Sequence, residues 1–265
     1  MSTDIAPALE LHELTRDFGG LRAVDRVDMA VAPGEVRGLI GPNGSGKSTL
    51  LNLVSGVYAV TSGRITLSGT DITRRSASAR TRIGVARTFQ NIRLFTKMTV
   101  FDNVAAAGFC RSRAGLSEIL LRTPRMRSEE QRIDHRAREL LELVGVLDRA
   151  DDGPGGLPYG QRRLVEIARA LMTEPEVLLL DEPAAGLTLA EKARLLALIR
   201  SLNEEHGLTL VLVEHDMTVI MNICDRISVL NFGAKIGEGT APEIRRNPAV
   251  IEAYLGRADD HVDGT

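Results

Sequence analysis

No run of about 18 apolar residues occurs anywhere in the 265-residue sequence, so no segment of it is suited to cross a bilayer as a helix. Cysteine is nearly absent. Cys110 and Cys224 lie far apart, with no Cys or His at ligand spacing, which argues against a metal site built on thiolates and leads us to expect reduced core thiols of a cytosolic protein. Neither sign of charge dominates: 33 Lys and Arg face 35 Asp and Glu, a net charge of −2. That balance gives no reason to expect a nucleic-acid partner. Met1 to Glu10 carries Asp4 and Glu10 but no basic start and no apolar stretch, so no secretory leader is expected. Internal repeats, long low-complexity tracts and sustained heptads are also missing.

Against these absences stands one dense motif. The apolar run Gly38-Leu39-Ile40 leads into Gly41, Pro42, Asn43, Gly44, Ser45, Gly46, Lys47, Ser48 and Thr49, which fill the pattern G-x-x-x-x-G-K-[ST] completely. Glycines let the backbone fold closely round an anion, so that successive amides and the positive end of the next helix face phosphate oxygens. Lys47 is expected to reach the β- and γ-phosphates of a nucleoside triphosphate, and the Ser48 hydroxyl to hold Mg²⁺.

The chain around this loop alternates in character. Leu9 to Val36 reads as antiparallel strands ending at the turn Pro33-Gly34, with a further strand pair near Gly63 to Leu67. Val177–Leu180 and Leu208–Val213 read as buried strands, separated by a helix from Leu189 to His206 that Gly207 stops, which implies a parallel sheet covered by helices. From Thr99 to Ala150 the sequence is charged, Arg-rich and helical in period, so we expect an inserted helical subdomain. Asp151 to Gly156 is rich in turn residues and suits a hinge.

Further chemistry gathers at strand ends. Val177 to Glu182 delivers Asp181 and Glu182 to the carboxyl edge of the sheet, where α/β proteins place ligands. Asp181 is suited to order Mg²⁺ through water, and Glu182 to act as general base toward the attacking water, a role worth about 10²–10⁴ in rate. Gln90, between the core and the insert, offers a neutral amide to Mg²⁺ and to that water. His215 follows the strand ending at Val213 and Glu214 and offers a donor to the γ-phosphate. Leu157, Pro158, Tyr159, Gly160 and Gln161 precede a helix with apolar Leu164, Ile167, Ala168 and Leu171, a second glycine-bearing turn at a helix N-terminus.

In this order the segments resemble the nucleotide-binding subunits of ABC transporters. RTFQNIRLF at 87–95, YGQRRLVEIARAL at 159–171, DEPAAGL at 181–187 and IEAYLG at 251–256 are similar to the ATPases of importers for branched-chain and other hydrophobic amino acids. The resemblance implies an α/β P-loop NTPase core with a mostly parallel sheet, an antiparallel β subdomain and an inserted α-helical subdomain. It places a single ABC ATPase domain over 8–256, with 8–95 and 157–256 as core, 96–156 as the helical subdomain and 257–265 as a loose tail. It also implies a second ATPase subunit, identical or related. ATP and Mg²⁺ would be enclosed between one phosphate loop and Pro158, Tyr159, Gly160 and Gln161 of the other chain. Phe18, 23 positions before Gly41, matches the place where such ATPases stack an aromatic ring on adenine.

Integral permease subunits would hold the chain at the cytoplasmic face of the plasma (inner) membrane, with a periplasmic or extracytoplasmic binding protein as an indirect partner. Ile92, Leu94 and Phe95 are candidates for the floor of the groove that receives the permease. Two departures stand out: Pro158 replaces the serine of the common LSGGQ, and Thr188 replaces a frequent Asp. The alternatives are an ABC ATPase of another transporter, for urea or amide import or lipid export, and a soluble ABC ATPase without a transport role.

Overall fold

Three strands carry the molecule: β3 (Val36–Ile40), β7 (Val177–Asp181) and β8 (Thr209–Val213), each buried at every position. Such uninterrupted apolar runs form when both faces of a sheet are covered. The computed structural model, which describes residues 6–111 and 124–255, shows how. Leu178, Leu180, Leu210 and Leu212 point into one core, whereas Val177, Leu179, Val211 and Val213 point into a second core across the sheet.

These strands belong to a six-stranded sheet of order β10-β9-β3-β8-β7-β6, completed by β6 (Val85–Arg87), β9 (Arg226–Asn231) and β10 (Ala234–Gly239). All its pairings are parallel except β9 with β10. A four-stranded antiparallel sheet, order β2-β1-β4-β5, is formed by β1 (Leu9–Phe18), β2 (Leu21–Val31), β4 (Ser62–Leu67) and the short β5 (Thr70–Asp71). Along β2, Val27, Met29 and Val31 are buried while Asp28 and Ala30 face solvent, the period of a sheet covered on one side. Its buried face closes the second core over α1 (Lys47–Val54), the helix that follows the phosphate loop. α2 (Ala77–Arg82) then leads into β6.

On the other face, α3 (Val100–Gly108) and α4 (Pro124–Leu143) form the insert, with no strand among its described residues. α5 (Tyr159–Leu171) packs against both of them and against β6. The segment expected to be a hinge is tethered. Val100 and Phe101 donate to the carbonyls of Asp152 and Ala150 at 2.9 and 2.8 Å, and Pro154–Gly156 forms one 3-10 turn. None of Gly153, Gly155 and Gly156 takes a positive φ, so these glycines bend the chain without any left-handed residue.

α6 (Leu189–Glu204) stops two residues before His206. Gly207, at φ +63°, folds back to donate to the Asn203 carbonyl, so the final turn leaves helical geometry before the glycine is reached. α7 (Met217–Ile223), α8 (Ala241–Arg246) and α9 (Pro248–Leu255) complete the described chain. The expected tail at 257–265 lies outside the described residues. Neither cysteine is fully buried. Cys224 packs at the edge of the first core, where burial pushes its thiol up to about 12, and Cys110 is half-buried within the insert, just after α3.

Candidate functional site

Where the chain leaves β3, Gly41 adopts φ +152° and a Cβ there would overlap the Leu230 carbonyl oxygen. At the other end of the loop Gly46 adopts φ +102°, with a Cβ position 2.6 Å from the Ala23 carbonyl oxygen. Only glycine fits either position. Between them the loop forms a cradle whose Ser45 hydroxyl is buried with no hydrogen-bond partner. Lys47 begins α1 and folds back over the loop, donating to the carbonyls of Gly41 and Pro42 at 2.7 and 2.9 Å. Burial lowers its ammonium below the ordinary lysine value, against the opposing pull of Glu182 and Asp181.

The loop opens on a cavity of about 550 Å³, lined by residues 43–49 together with Phe18, Leu21, Arg22, Ala23, Glu182, Phe232 and Gly233. Phe18 is a wall of this cavity and not a core residue. Its ring meets Tyr58 edge to face at a centroid distance of 5.2 Å, and the Arg16 guanidinium lies 4.4 Å from its centre.

Asp181 ends β7, buried, with one oxygen paired to the equally buried Arg87 at 2.8 Å. Arg87 also donates to Asn52 and Ser55 of the α1 segment, at 2.7 and 3.1 Å. Glu182 follows at φ +46°, a left-handed backbone rare outside glycine and frequent at functional sites, held by its amide on the Val213 carbonyl at 2.9 Å. Its Oε2 accepts from the Gln90 amide at 3.0 Å and stands 3.8 Å from His215 Nδ1. Lys47, Gln90, Asp181, Glu182 and His215 therefore converge beside the phosphate loop, although they come from four separate stretches of sequence.

Pro158, Tyr159, Gly160 and Gln161 line no part of this cavity. Pro158 caps α5 without a side-chain hydrogen bond, and Tyr159 is partly exposed. A Cβ on Gly160 would overlap the Glu191 carboxylate. Thr188 spends its hydroxyl as the N-cap of α6, in a reciprocal capping box with Glu191.

A second cavity, of about 570 Å³, lies between the insert and the core and is lined by Phe89, Arg93, Phe95, Ala107, Glu166 and Arg169 among others. Of Ile92, Leu94 and Phe95 only Phe95 lines it. Leu94 turns inward against the first core, Ile92 is absent from the lining, and Phe89 provides the other ring. Several charged residues escaped the sequence reading. Arg87, Arg163, Glu166 and Glu214 are all buried or nearly so. Burial raises the carboxyls of Glu166 and Glu214 above the ordinary range, although Glu166 pairs with Arg163 and Glu214 accepts from the Ala184 amide. The signal for two of them was present: Arg163 and Glu166 are charged residues one turn apart on the apolar side of α5.

Residues 24–185 match the family model described as ABC transporter. LivG of Escherichia coli K12, a high-affinity branched-chain amino acid transport ATP-binding protein, is 44% identical over 95% of this chain and 99% of its own. The chain belongs to the ATP-binding subunits of ABC transporters. Within that family, residues 234–260 match the model described as branched-chain amino acid ATP-binding cassette transporter. BraF of Pseudomonas aeruginosa is 45% identical over the same shares of the two chains. The solved ADP conformation of MJ1267, an ATP-binding cassette of an ABC transporter, superposes on this ABC ATPase with a TM-score of 0.82 at 32% identity, covering 94% of this chain and 99% of that one. A dimeric post-hydrolysis cassette, MJ0796 bound to ADP and Pi, superposes with a TM-score of 0.74 at 27% identity, covering 88% and 98%. The expected architecture of an ABC ATPase is thus the observed one.

Proposed function

We propose that this subunit hydrolyses ATP to drive import of branched-chain or related hydrophobic amino acids, and that it does so as a head-to-tail pair. The observation that carries the catalytic reading is the meeting of Gln90, Glu182 and His215 beside the loop that holds Lys47. Lys47 leaves its two carbonyls to hold the β- and γ-phosphates, residues 41–49 supply amides to them, and Phe18 stacks on the adenine. Glu182 accepts a proton from the attacking water, Gln90 orients that water, and His215 donates to the γ-phosphate.

The donors nearest the phosphates fit Mg²⁺: the Ser48 hydroxyl, the Asp181 carboxylate and the Gln90 amide oxygen are all hard oxygen ligands. Among the described residues no group of three or more His, Cys, Asp or Glu is placed to hold a metal ion. That agrees with a cation that keeps several waters and leans on substrate phosphates. Once bound, Mg²⁺ would neutralise charge that develops on the phosphate oxygens.

Pro158, Tyr159, Gly160 and Gln161 stand away from their own chain's cavity, which suits a surface that closes over the ATP of a second ATPase subunit. The cavity carrying Phe89 and Phe95 is suited to a short helix of an integral permease subunit. No helix among the described residues is long and apolar enough to cross a membrane. In this reading permeases hold the subunit at the cytoplasmic face, and an extracytoplasmic binding protein delivers the cargo to them.

Replacing Glu182 with Gln tests the assignment. The variant should bind ATP like the parent and hydrolyse it about 10²–10⁴ times more slowly, the usual worth of a general base. Undiminished steady-state turnover would remove Glu182 from the role.

A further inference from the structure

Arg163 and Glu166 face inward from α5, fully buried and paired at 2.8 Å. One terminal nitrogen of the Arg163 guanidinium also donates to the Phe89 carbonyl at 2.6 Å. The other donates to the Gln90 carbonyl at 2.8 Å and to the Tyr159 hydroxyl at 3.2 Å. Glu166 returns the contact by accepting from the Phe89 amide at 3.3 Å. Two neighbouring side chains thus grip the backbone on either side of the Phe89–Gln90 peptide and hold the ring that opens α5. The same two residues border three working parts. The Gln90 side chain ends on Glu182 at 3.0 Å, Phe89 and Glu166 line the groove suited to the permease, and Tyr159 belongs to the 157–161 turn.

The charge of the pair is not by itself a gain in stability. Burying an ion pair costs both partners their water, and well-packed apolar residues of similar volume often stabilise at least as well. A planar guanidinium held in a dry site does something apolar residues cannot: it fixes the direction of several acceptors at once.

We propose that Arg163 and Glu166 are positioning residues that join the permease groove, the Gln90 backbone and Tyr159 into one rigid unit. A displacement at the groove then moves the Gln90 amide over its own ATP and the 157–161 turn over the neighbour's ATP together. The inference rests on the reading of Gln90 and of 157–161 as the two halves of composite ATP sites.

The full-length chain carrying Glu182→Gln provides the test, because slow hydrolysis lets its ATP-driven dimer be measured by sedimentation with MgATP. In that background we compare Arg163→Met combined with Glu166→Met, and Arg163→Lys alone. The double variant removes the buried charges as a pair but leaves the Phe89 amide and the Phe89 and Gln90 carbonyls without these partners, so it should melt a few degrees lower than its parent while still binding ATP at its own loop within about twofold. Its dimer dissociation constant should nevertheless rise about tenfold or more, and that of Arg163→Lys about threefold, because an ammonium serves fewer fixed acceptors. A purely structural pair would instead weaken ATP binding at the chain's own loop as much as it weakens dimerisation, both following the melting temperature, and that result overturns the positioning role. Unchanged dimerisation in both variants overturns the positioning role while leaving the composite site in place. Failure of the Glu182→Gln parent to dimerise with ATP overturns the composite-site reading and this inference with it.

Discussion

Gly46 turns the phosphate loop into α1 at φ +102°, with the Ala23 carbonyl oxygen 2.6 Å from where a Cβ would stand. Gly46→Ala must therefore shift the loop or β2, and the loop is the less tied of the two. We expect ATP affinity to fall by about tenfold or more while the thermal midpoint drops only a few degrees, the result of local strain of about 1–3 kcal/mol. Nucleotide titration beside a melting curve separates the two effects, and unaltered affinity would show that the loop tolerates the side chain. The sequence offered Lys47, Asp181, Glu182, Gln90 and His215 as candidates by residue type and by their places at loop and strand ends, and the structure brings them together. Arg87 was not. Its pairing with Asp181 spans 94 positions and exists only because β6 lies beside β7. The left-handed backbone of Glu182 was equally invisible, since it depends on the Val213 carbonyl of the adjacent strand.

Helices and strands were readable where the apolar period was clean, and their limits shifted where local bonding intervened. β7 and β8 occupy the expected runs to within a residue. α6 starts where expected because Thr188 caps it, and ends early because Gly207 draws the chain into a terminal turn. Thr188→Ala removes the hydroxyl that Glu191 uses at both the backbone and the side chain. The expected cost is about 1 kcal/mol, read as a lower denaturation midpoint with unchanged slope. An unaffected midpoint would mean that solvent replaces the cap. Ile92, Leu94 and Phe95 do not share one surface for a reason of the same kind: Leu94 packs against the first core, which their linear order does not reveal. Cys224 offers a check on that core. With its thiol pushed up to about 12, almost no thiolate exists near pH 8, so a thiol reagent should leave Cys224 intact in the native protein and modify it on unfolding. Equal rates in the two states would contradict its placement.

At the scale of the whole molecule, two cores on opposite faces of one sheet hold the phosphate loop and the insert to a common frame. The 157–161 turn lines no part of its own chain's nucleotide cavity, so in the proposed reading a chain by itself presents two unmatched halves of an ATP site. We propose that pairing of chains completes each half with the other. The direct measurement uses an ATP analogue with a photoreactive group on its γ-phosphate and an equal mixture of two distinguishable chains. One carries Lys47→Ala and should lack nucleotide of its own; the other carries Glu182→Gln and retains it. The account predicts that the label appears on the 157–161 peptide of the Lys47→Ala chain, delivered from its neighbour's site. Label confined to the chain that binds the nucleotide would contradict it.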